Sequence, residues 1–237
     1  MAMPALIENA LANALTLVID LDPALRDIVV LSLRISLTAV VVASLIALPL
    51  GAALALWHFP GRGLIVVALN ALMGLPPVVA GLTVYLLLSR AGPFGELGLL
   101  FTPAAMVIAQ VVLVLPIIAA LTRQQIEALW AEYGEQLTSF GHGRLRAIPT
   151  LLWDARFGLI TVILAGFGRA SAEVGAVLIV GGNIDGVTRV MTTAIALETN
   201  KGNLALALGL GIVLLTLVAL VNAAAYLIGE SARRRLG

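Results

Sequence analysis

The chain has 237 residues, of which 61% are hydrophobic and only 11% are charged. Soluble globular domains carry about 25% charged residues, so this composition excludes an ordinary soluble fold and predicts an integral membrane protein. The net charge of +1 and the lack of a long basic block argue against nucleic-acid binding. The absence of cysteine excludes disulfides and cysteine nucleophiles, and the two histidines, His58 and His142, lie too far apart in sequence for a typical metal site.

The N-terminal segment, residues 1–28, is predicted to lie at the extracytoplasmic membrane surface. It lacks the basic start of a secretory signal, and Asp20, Asp22 and Asp27 follow its short apolar run. We therefore interpret it as a weakly amphipathic surface segment.

Five later segments are long and apolar enough to cross a bilayer, whose core of about 30 Å needs about 20 apolar residues in a helix. Backbone groups inside lipid must be satisfied internally, so these segments are predicted to be helices of an all-α membrane domain covering residues 29–228. They are residues 29–57, 62–90, 101–121, 157–180 and 204–228.

Basic residues predict the orientation of the spans, because cytoplasmic loops are enriched in Lys and Arg. With five spans, the first connection, the segment 123–156 and the tail 229–237 share one side of the membrane, and they hold eight of the fourteen basic residues. We therefore expect the N-terminus outside and the C-terminus in the cytoplasm. The eight residues are Arg62, Arg123, Arg144, Arg146, Arg156, Arg233, Arg234 and Arg235.

Proline and glycine interrupt two of the predicted spans. Pro76 and Pro77 follow Gly74 in the second span, and Gly181 and Gly182 lie at the end of the fourth. A proline inside a helix removes a backbone hydrogen bond and can kink the helix. These residues are either tolerated interruptions or a hinge or gate.

The segment 123–156 is a predicted cytoplasmic loop. Its apolar residues recur at helical spacing until Gly141 and Gly143 interrupt the pattern. We expect a short helix, a glycine turn and a second helix.

The first half of this loop carries a recognisable motif. Glu135-Gln136-Leu137, followed after three residues by Gly141, resembles the EAA loop of ABC-importer permeases. In that family the loop docks on a cytoplasmic ATPase. The resemblance implies a coupling role for Glu135, Gln136, Leu137, Gly141, Gly143 and Arg144.

The fourth predicted span contains Arg169 and Glu173. Arg169 would lie about 18 Å into the membrane from Phe157, at 1.5 Å per residue. An ionised side chain there costs at least about 2.5–3.5 kcal/mol, so it should face a partner or a wet cavity. The spacing i, i+4 puts both residues on one helix face, where they either form a structural ion pair or line a pathway for an anion.

Several stretches resemble the oxyanion branch of ABC-importer permeases, which handles sulfate, molybdate and tungstate, and tungstate permeases most of all. The resemblance covers residues 31–228, and the stretches that carry it are residues 71–88, 98–125, 152–159, 165–184 and 188–202. It implies the five-helix core of a type I importer, in a prokaryotic plasma (inner) membrane.

The resemblance also implies the partners. The family supplies two copies of a separate ATPase, which uses ATP and magnesium, and an extracytoplasmic oxyanion-binding protein. This chain has no phosphate-binding loop of the G-x-x-x-x-G-K-[ST] kind, so it is expected to be no enzyme and to carry no cofactor. Five spans enclose no obvious pore, and we therefore expect a homodimer with the pathway on its two-fold axis.

Three alternatives stay open from the sequence. The substrate could be molybdate or sulfate rather than tungstate. An ion-coupled secondary transporter would favour inverted repeats and more acidic groups in the membrane, whereas Glu173 is the only acidic residue well inside a predicted span. A structural membrane scaffold without transport is the third alternative, and it would not explain why Arg169 and Glu173 are placed in the membrane at a cost in free energy.

Overall fold

A computed structural model describes residues 23–141 and 143–236, and every long element in these ranges is an α-helix. Most of the predicted N-terminal surface segment, residues 1–22, and His142 lie outside the described residues. The helices are α1 Pro23–Leu56, α2 Arg62–Met73, α3 Pro77–Leu88, α4 Pro103–Ser139, α5 Ile148–Asp154, α6 Arg156–Ser171, α7 Gly175–Gly181, α8 Met191–Asn200 and α9 Leu204–Leu236.

Three of these helices are uninterrupted and apolar enough to cross a membrane: α1, α4 and α9. They correspond to the first, third and fifth predicted spans, and Pro49 and Pro116 lie inside α1 and α4 without ending them. Two pairs of shorter helices, α2–α3 and α5–α6, are also long and apolar enough when each pair is taken together. The two helices of a pair are bent relative to each other by 106° in α2–α3 and by 79° in α5–α6. Within the described residues, the chain therefore has three candidate spans, or five if each bent pair is one.

The second predicted span, 62–90, is wrong as a single helix. α2 ends at Met73 and α3 begins at Pro77, with the 106° bend between them. Gly74 donates its backbone N–H to the carbonyl of Ala71 at 3.1 Å and so closes α2. Pro77 suits the first position of α3, where its missing N–H costs no hydrogen bond.

The fourth predicted span, 157–180, is also wrong as a single helix. α6 ends at Ser171, and α7 begins only at Gly175. The Glu173 carboxylate accepts a hydrogen bond from the backbone N–H of Ala176 at 2.9 Å, and the Thr192 hydroxyl donates to the Glu173 carbonyl at 2.7 Å. These contacts satisfy backbone groups that a helix would otherwise pair, so Arg169 and Glu173 do not share one helix face.

The separate short helix predicted at the start of the segment 123–156 is absorbed into α4, which continues to Ser139. The helical spacing of apolar residues was correct, but it continues the pattern of the span before it. Between α4 and α5, residues 140–141 and 143–147 are turns or irregular, and His142 lies outside the described residues.

The chain divides into two compact units. The described part of the first unit comprises residues 23–37, 77–110 and 171–221. Its core contains the buried side chains of Leu25, Met191, Ala194 and Leu210. The Ser32 hydroxyl accepts the backbone N–H of Met191 at 2.7 Å, which fixes the start of α8 against α1 within this unit.

Glycine allows α3 and α7 of the first unit to pack closely. A Cβ added at Gly81 would lie 2.7 Å from the Cα of Ala176, closer than side chains approach. Gly175, at the start of α7, lies against Val78 in the same way, with a Cβ distance of 3.1 Å to the Val78 Cγ2. The two half-helices are therefore held by backbone-to-backbone contact.

The second unit comprises residues 38–76, 111–170 and the end of α9, with His142 outside the described residues. Glycine again sets its packing. A Cβ at Gly51 in α1 would lie 2.5 Å from the Ala119 carbonyl oxygen of α4, and one at Gly166 in α6 would lie 2.9 Å from Ile118 and Val114. α4 is therefore the central helix of this unit, contacted by α1 and α6.

We predict that Gly81→Ala lowers the free energy of unfolding by about 1–3 kcal/mol, because the new methyl group meets backbone that cannot move aside. Gly211→Ala in α9 is the matched control, since nothing lies within 4 Å of its added Cβ. It should leave stability unchanged or raise it by up to about 1 kcal/mol through helix propensity. SDS titration in detergent micelles measures both, and equal effects would contradict the close contact.

Candidate functional site

The predicted glycine turn is present at Gly141. Its φ is +79°, a left-handed conformation that glycine adopts without the steric cost of a Cβ. The backbone N–H of Gly141 donates to the carbonyl of Thr138 at 3.0 Å and closes the end of α4. Gly143 is not left-handed, and no neighbouring atom lies within 4 Å of an added Cβ. The geometry therefore requires glycine at position 141 only.

The structure brings together three of the six predicted coupling residues. Glu135, Gly143 and Arg144 line a cleft of about 680 Å³ at the end of α4, together with Trp130, Ala131, Gly134 and Thr138. Gln136 is exposed outside this cleft, and Leu137 is half-buried. The cleft combines an acidic and a basic side chain with the apolar body of an indole ring, a combination suited to a protein partner.

Large apolar side chains are also exposed in the segment that follows the end of α4. Phe140 is 78% exposed, Trp153 72% and Leu145 52%. The Arg156 guanidinium lies 5.0 Å from the centroid of the Trp153 ring and donates to the Trp153 carbonyl at 2.6 Å. These contacts hold Trp153 in a fixed orientation at the α5–α6 bend. We call Phe140, Leu145 and Trp153 the apolar rim.

Arg144 also contacts the end of α1. One of its Nη atoms lies 3.1 Å from Nδ1 of His58. Arginine can only donate, so this contact requires an unprotonated Nδ1. The same Nδ1 lies 3.2 Å from the Leu56 carbonyl, a hydrogen bond that requires a protonated Nδ1. The two contacts are therefore alternatives, and the tautomer of His58 selects between them.

A cluster of three charged residues fixes the start of α2 against α4, and the sequence analysis did not predict it. Glu127 in α4 accepts hydrogen bonds from Arg62 through one carboxylate oxygen and from Arg123 at 2.6 Å through the other. The Arg62 Nε also donates to the Leu54 carbonyl at the end of α1, at 2.7 Å. The i, i+4 spacing of Arg123 and Glu127 could have predicted their ion pair from the sequence. Arg62 is 65 residues from Glu127, and no sequence pattern indicated their contact.

Arg169 lies near the end of α6, and Glu173 lies between α6 and α7. Arg169 is half-buried in the last turn of α6, where a cation interacts favourably with the negative end of the helix dipole. Glu173 is 3% exposed and caps the N-terminus of α7 through its bond to Ala176. The Glu173 carboxylate therefore has a structural task that the sequence pattern did not indicate.

The four predicted gate or hinge residues lie where helices end. Pro76 and Pro77 form the α2–α3 bend, and Gly181 is the last residue of α7. Gly182 follows with φ +71°, and an added Cβ would lie 2.9 Å from the Phe101 ring. The Gly181 carbonyl accepts the Thr188 hydroxyl at 2.6 Å. The Gly181-Gly182 end is thus tightly packed, and a gating role for the four residues stays a prediction.

We predict that Gly141→Ala opens the turn, because a Cβ in the left-handed conformation costs about 1–2 kcal/mol. Amide hydrogen exchange across residues 140–147 should become about 5- to 30-fold faster. Gly143→Ala is the matched control, two residues away, and should leave exchange unchanged. If both variants exchange equally fast, the left-handed turn is not what holds this connection.

No protein-family model matches the chain. The chain is 38% identical to a probable anion ABC transporter permease protein of Haloferax volcanii, over 84% of this chain and 88% of the relative. It is 38% identical to a tungstate uptake system permease protein of Peptoclostridium acidaminophilum, over 92% and 95% of the two chains. A tungstate uptake system permease protein of Campylobacter jejuni is 40% identical over 70% of each chain.

Identities of this size over most of both chains establish common ancestry, and the all-helical fold with its candidate spans agrees with that ancestry. Permease subunits are not themselves enzymes. The chain is a multi-pass membrane protein and belongs to the family of ABC transporter permeases.

Proposed function

We propose that this chain is the membrane-spanning subunit of an ATP-driven importer for an oxyanion, and that the oxyanion is tungstate. The observation that carries this proposal is the similarity to two permeases named for tungstate uptake, one of them matched over 92% of this chain. The relative named only for an anion is equally similar and supports the broader class.

The proposed topology has five spans in the plasma (inner) membrane of a prokaryote. They are α1, the bent pair α2–α3, α4, α6 with α7, and α9. Basic residues support an extracytoplasmic N-terminal segment, 1–28, and a cytoplasmic tail, 229–237. Residues 29–228 then form the permease domain. The turn after α4 and the helix α5, within residues 123–156, face the cytoplasm in this topology.

The cytoplasmic surface would bind the ATPase. The apolar rim exposes Phe140, Leu145 and Trp153, and the same segment of the chain carries a cleft lined by Glu135 and Arg144. An exposed apolar patch bordered by charges is typical of a protein interface. Two copies of the ATPase would hold ATP and magnesium, and this chain would contribute the docking surface.

Movement of the ATPases must reach the spans to drive transport. A displacement of the turn at Gly141 would act directly on α4, because α4 ends two residues before it. The Arg62–Glu127–Arg123 cluster would carry the displacement from α4 to the end of α1 and the start of α2. Rigid helices joined by ion pairs suit such a switch between two states.

The substrate pathway would lie between two copies of the chain, and an extracytoplasmic binding protein would deliver the anion to it. Arg169 is the candidate cation for this pathway, since guanidinium groups bind tetrahedral oxyanions through paired hydrogen bonds. Glu173 would act as a positioning residue that holds the start of α7. Pro76, Pro77, Gly181 and Gly182 are the candidates for movement.

A molybdate or sulfate importer is the second candidate. These anions share the tetrahedral shape and double negative charge of tungstate, so no single contact in the structure separates them. Competition for uptake separates them directly.

We predict that deleting the chain abolishes tungsten accumulation from nanomolar tungstate, and that excess molybdate or sulfate does not prevent uptake by the intact system. Arg169→Ala should lower uptake more than it lowers assembly with the ATPase, while the exposed Arg90→Ala serves as the control and should leave uptake unchanged. If excess molybdate or sulfate suppresses tungsten uptake, the substrate assignment changes from tungstate to the broader group of oxyanions. Full uptake by assembled Arg169→Ala would exclude the pathway role of Arg169.

We predict that Trp153→Ala weakens copurification of the ATPase with the permease, because it removes the largest side chain of the apolar rim. Leu215→Ala in α9 is the matched control, since Leu215 is also 72% exposed but lies on a span. It should leave the complex intact. If no ATPase copurifies with the unaltered chain, the coupling proposal itself fails.

A further inference from the structure

Side chains bind three successive carbonyl groups at the end of α1. The last carbonyls of a helix have no partner within the helix and need donors from elsewhere. Arg62 donates from its Nε to the Leu54 carbonyl at 2.7 Å and from an Nη to the Ala55 carbonyl at 3.5 Å. The His58 Nδ1 lies 3.2 Å from the third carbonyl, that of Leu56, and donates to it when this nitrogen carries a proton. The His58 ring therefore caps α1 in that protonation form.

The connection that carries His58 has a defined backbone. The Trp57 and Phe59 rings on either side of it pack edge to face, with their centroids 5.6 Å apart. Gly61 has φ +91°, a conformation that favours glycine, and the backbone N–H of Arg62 donates to the Phe59 carbonyl at 3.2 Å. The chain on both sides of His58 is therefore fixed, and the choice of hydrogen-bond partner lies with its ring.

Arg144 competes with the Leu56 carbonyl for the same ring nitrogen. One of its Nη atoms lies 3.1 Å from the His58 Nδ1, and arginine can only donate. The ring binds Arg144 when Nδ1 carries a lone pair, and it binds Leu56 when Nδ1 carries a proton. The end of α1 and the turn after α4, 86 residues apart, are therefore joined here in one form of the ring only. Both side chains are exposed, so protons from water reach the ring.

The charged groups around the His58 ring favour release of Arg144 on protonation. Arg144 approaches the ring from the turn after α4, and Arg62, in the first turn of α2, binds the same end of α1. Glu127 in α4 binds both Arg62 and Arg123, so two guanidinium groups already match its charge. A protonated His58 would meet the positive charge of Arg144 directly, and like charges in contact repel each other.

We propose that His58 is a positioning residue: its neutral ring ties Arg144 of the turn after α4 to the end of α1, and protonation of the ring releases Arg144 and caps α1 instead. Histidine changes charge between about pH 5 and pH 8, so physiological changes in pH reach this switch. Arg144 and Glu135 line the cleft assigned to the ATPase, and an arginine already held in place loses less freedom on docking. The ATPase should therefore bind more tightly when His58 is neutral. This effect on docking rests on the proposed function, whereas the contact between His58 and Arg144 does not.

The tautomer of His58 tests the contact itself. The chain has two histidines, so nuclear magnetic resonance of isotope-labelled histidine in the full-length permease, held in lipid nanodiscs, follows two rings, and His142→Gln assigns them. At about pH 8, where histidine is mainly neutral, we expect the His58 proton on Nε2 and none on Nδ1. Arg144→Ala should move the proton to Nδ1, whereas Arg146→Ala, which removes an exposed arginine of the same turn, should not. A proton on Nδ1 of the unaltered chain, or equal responses to both arginine variants, would overturn the inference.

The affinity of the purified ATPase for the reconstituted permease tests the consequence, measured at about pH 8 and at about pH 5.5. Between these values, the affinity should fall about 2- to 10-fold more for the unaltered chain than for His58→Asn, because the Asn oxygen accepts from Arg144 in place of Nδ1 and does not titrate. His142→Asn is the matched control and should keep the full response, and titration of the ATPase itself is common to all three chains.

An equal response in His58→Asn and the unaltered chain would overturn the link between His58 and docking. If the ATPase binds none of the three chains, the proposed docking surface is rejected, and the tautomer of His58 still decides whether the contact with Arg144 exists. The two measurements therefore separate failure of this inference from failure of the proposed function.

Discussion

The requirement that every backbone hydrogen bond be satisfied away from water governs this structure. At two of the helix breaks, a side chain forms a hydrogen bond with a backbone group that the helix no longer pairs. Glu173 accepts from Ala176 where α6 and α7 separate, and the Thr188 hydroxyl donates to the Gly181 carbonyl where α7 ends. A membrane protein can bend its spans only where such side chains are available. The breaks are therefore specific features of this sequence.

The same constraint explains why glycine and charge are placed differently along the chain. Within each compact unit, glycine sets the close helix contacts, as at Gly81 in the first and Gly51 in the second. Charge forms a separate cluster, in which Arg62 reaches both the end of α1 and Glu127 within α4. Close packing without polar groups suits the lipid region, and ion pairs suit the boundary with water, where desolvation costs less.

This division produces a molecule with two kinds of exposed surface. The apolar rim exposes aromatic residues, and Arg156 lies over the ring of one of them, Trp153, a combination that suits an interface with a water-soluble protein. The half-helix α2 is apolar and largely exposed, with Leu69 as its one buried residue, which suits a surface that lies within the membrane. An ABC permease must bind partners of both kinds, and its surface chemistry separates the two sites.

The sequence by itself determined the class of the protein, the approximate position of its spans, the left-handed turn at Gly141 and the family. These features depend on composition, on hydropathy over about 20 residues and on short motifs, all of which are local. Tertiary structure decided the separation of α6 from α7, the joining of the segment 123–139 to α4 and the Arg62–Glu127 contact. Thr192, 19 residues away, donates to the Glu173 carbonyl at this break, and the i, i+4 spacing of Arg169 and Glu173 does not indicate that contact. Contacts between residues far apart in the chain carry no periodic signal, and only folding brings their atoms together.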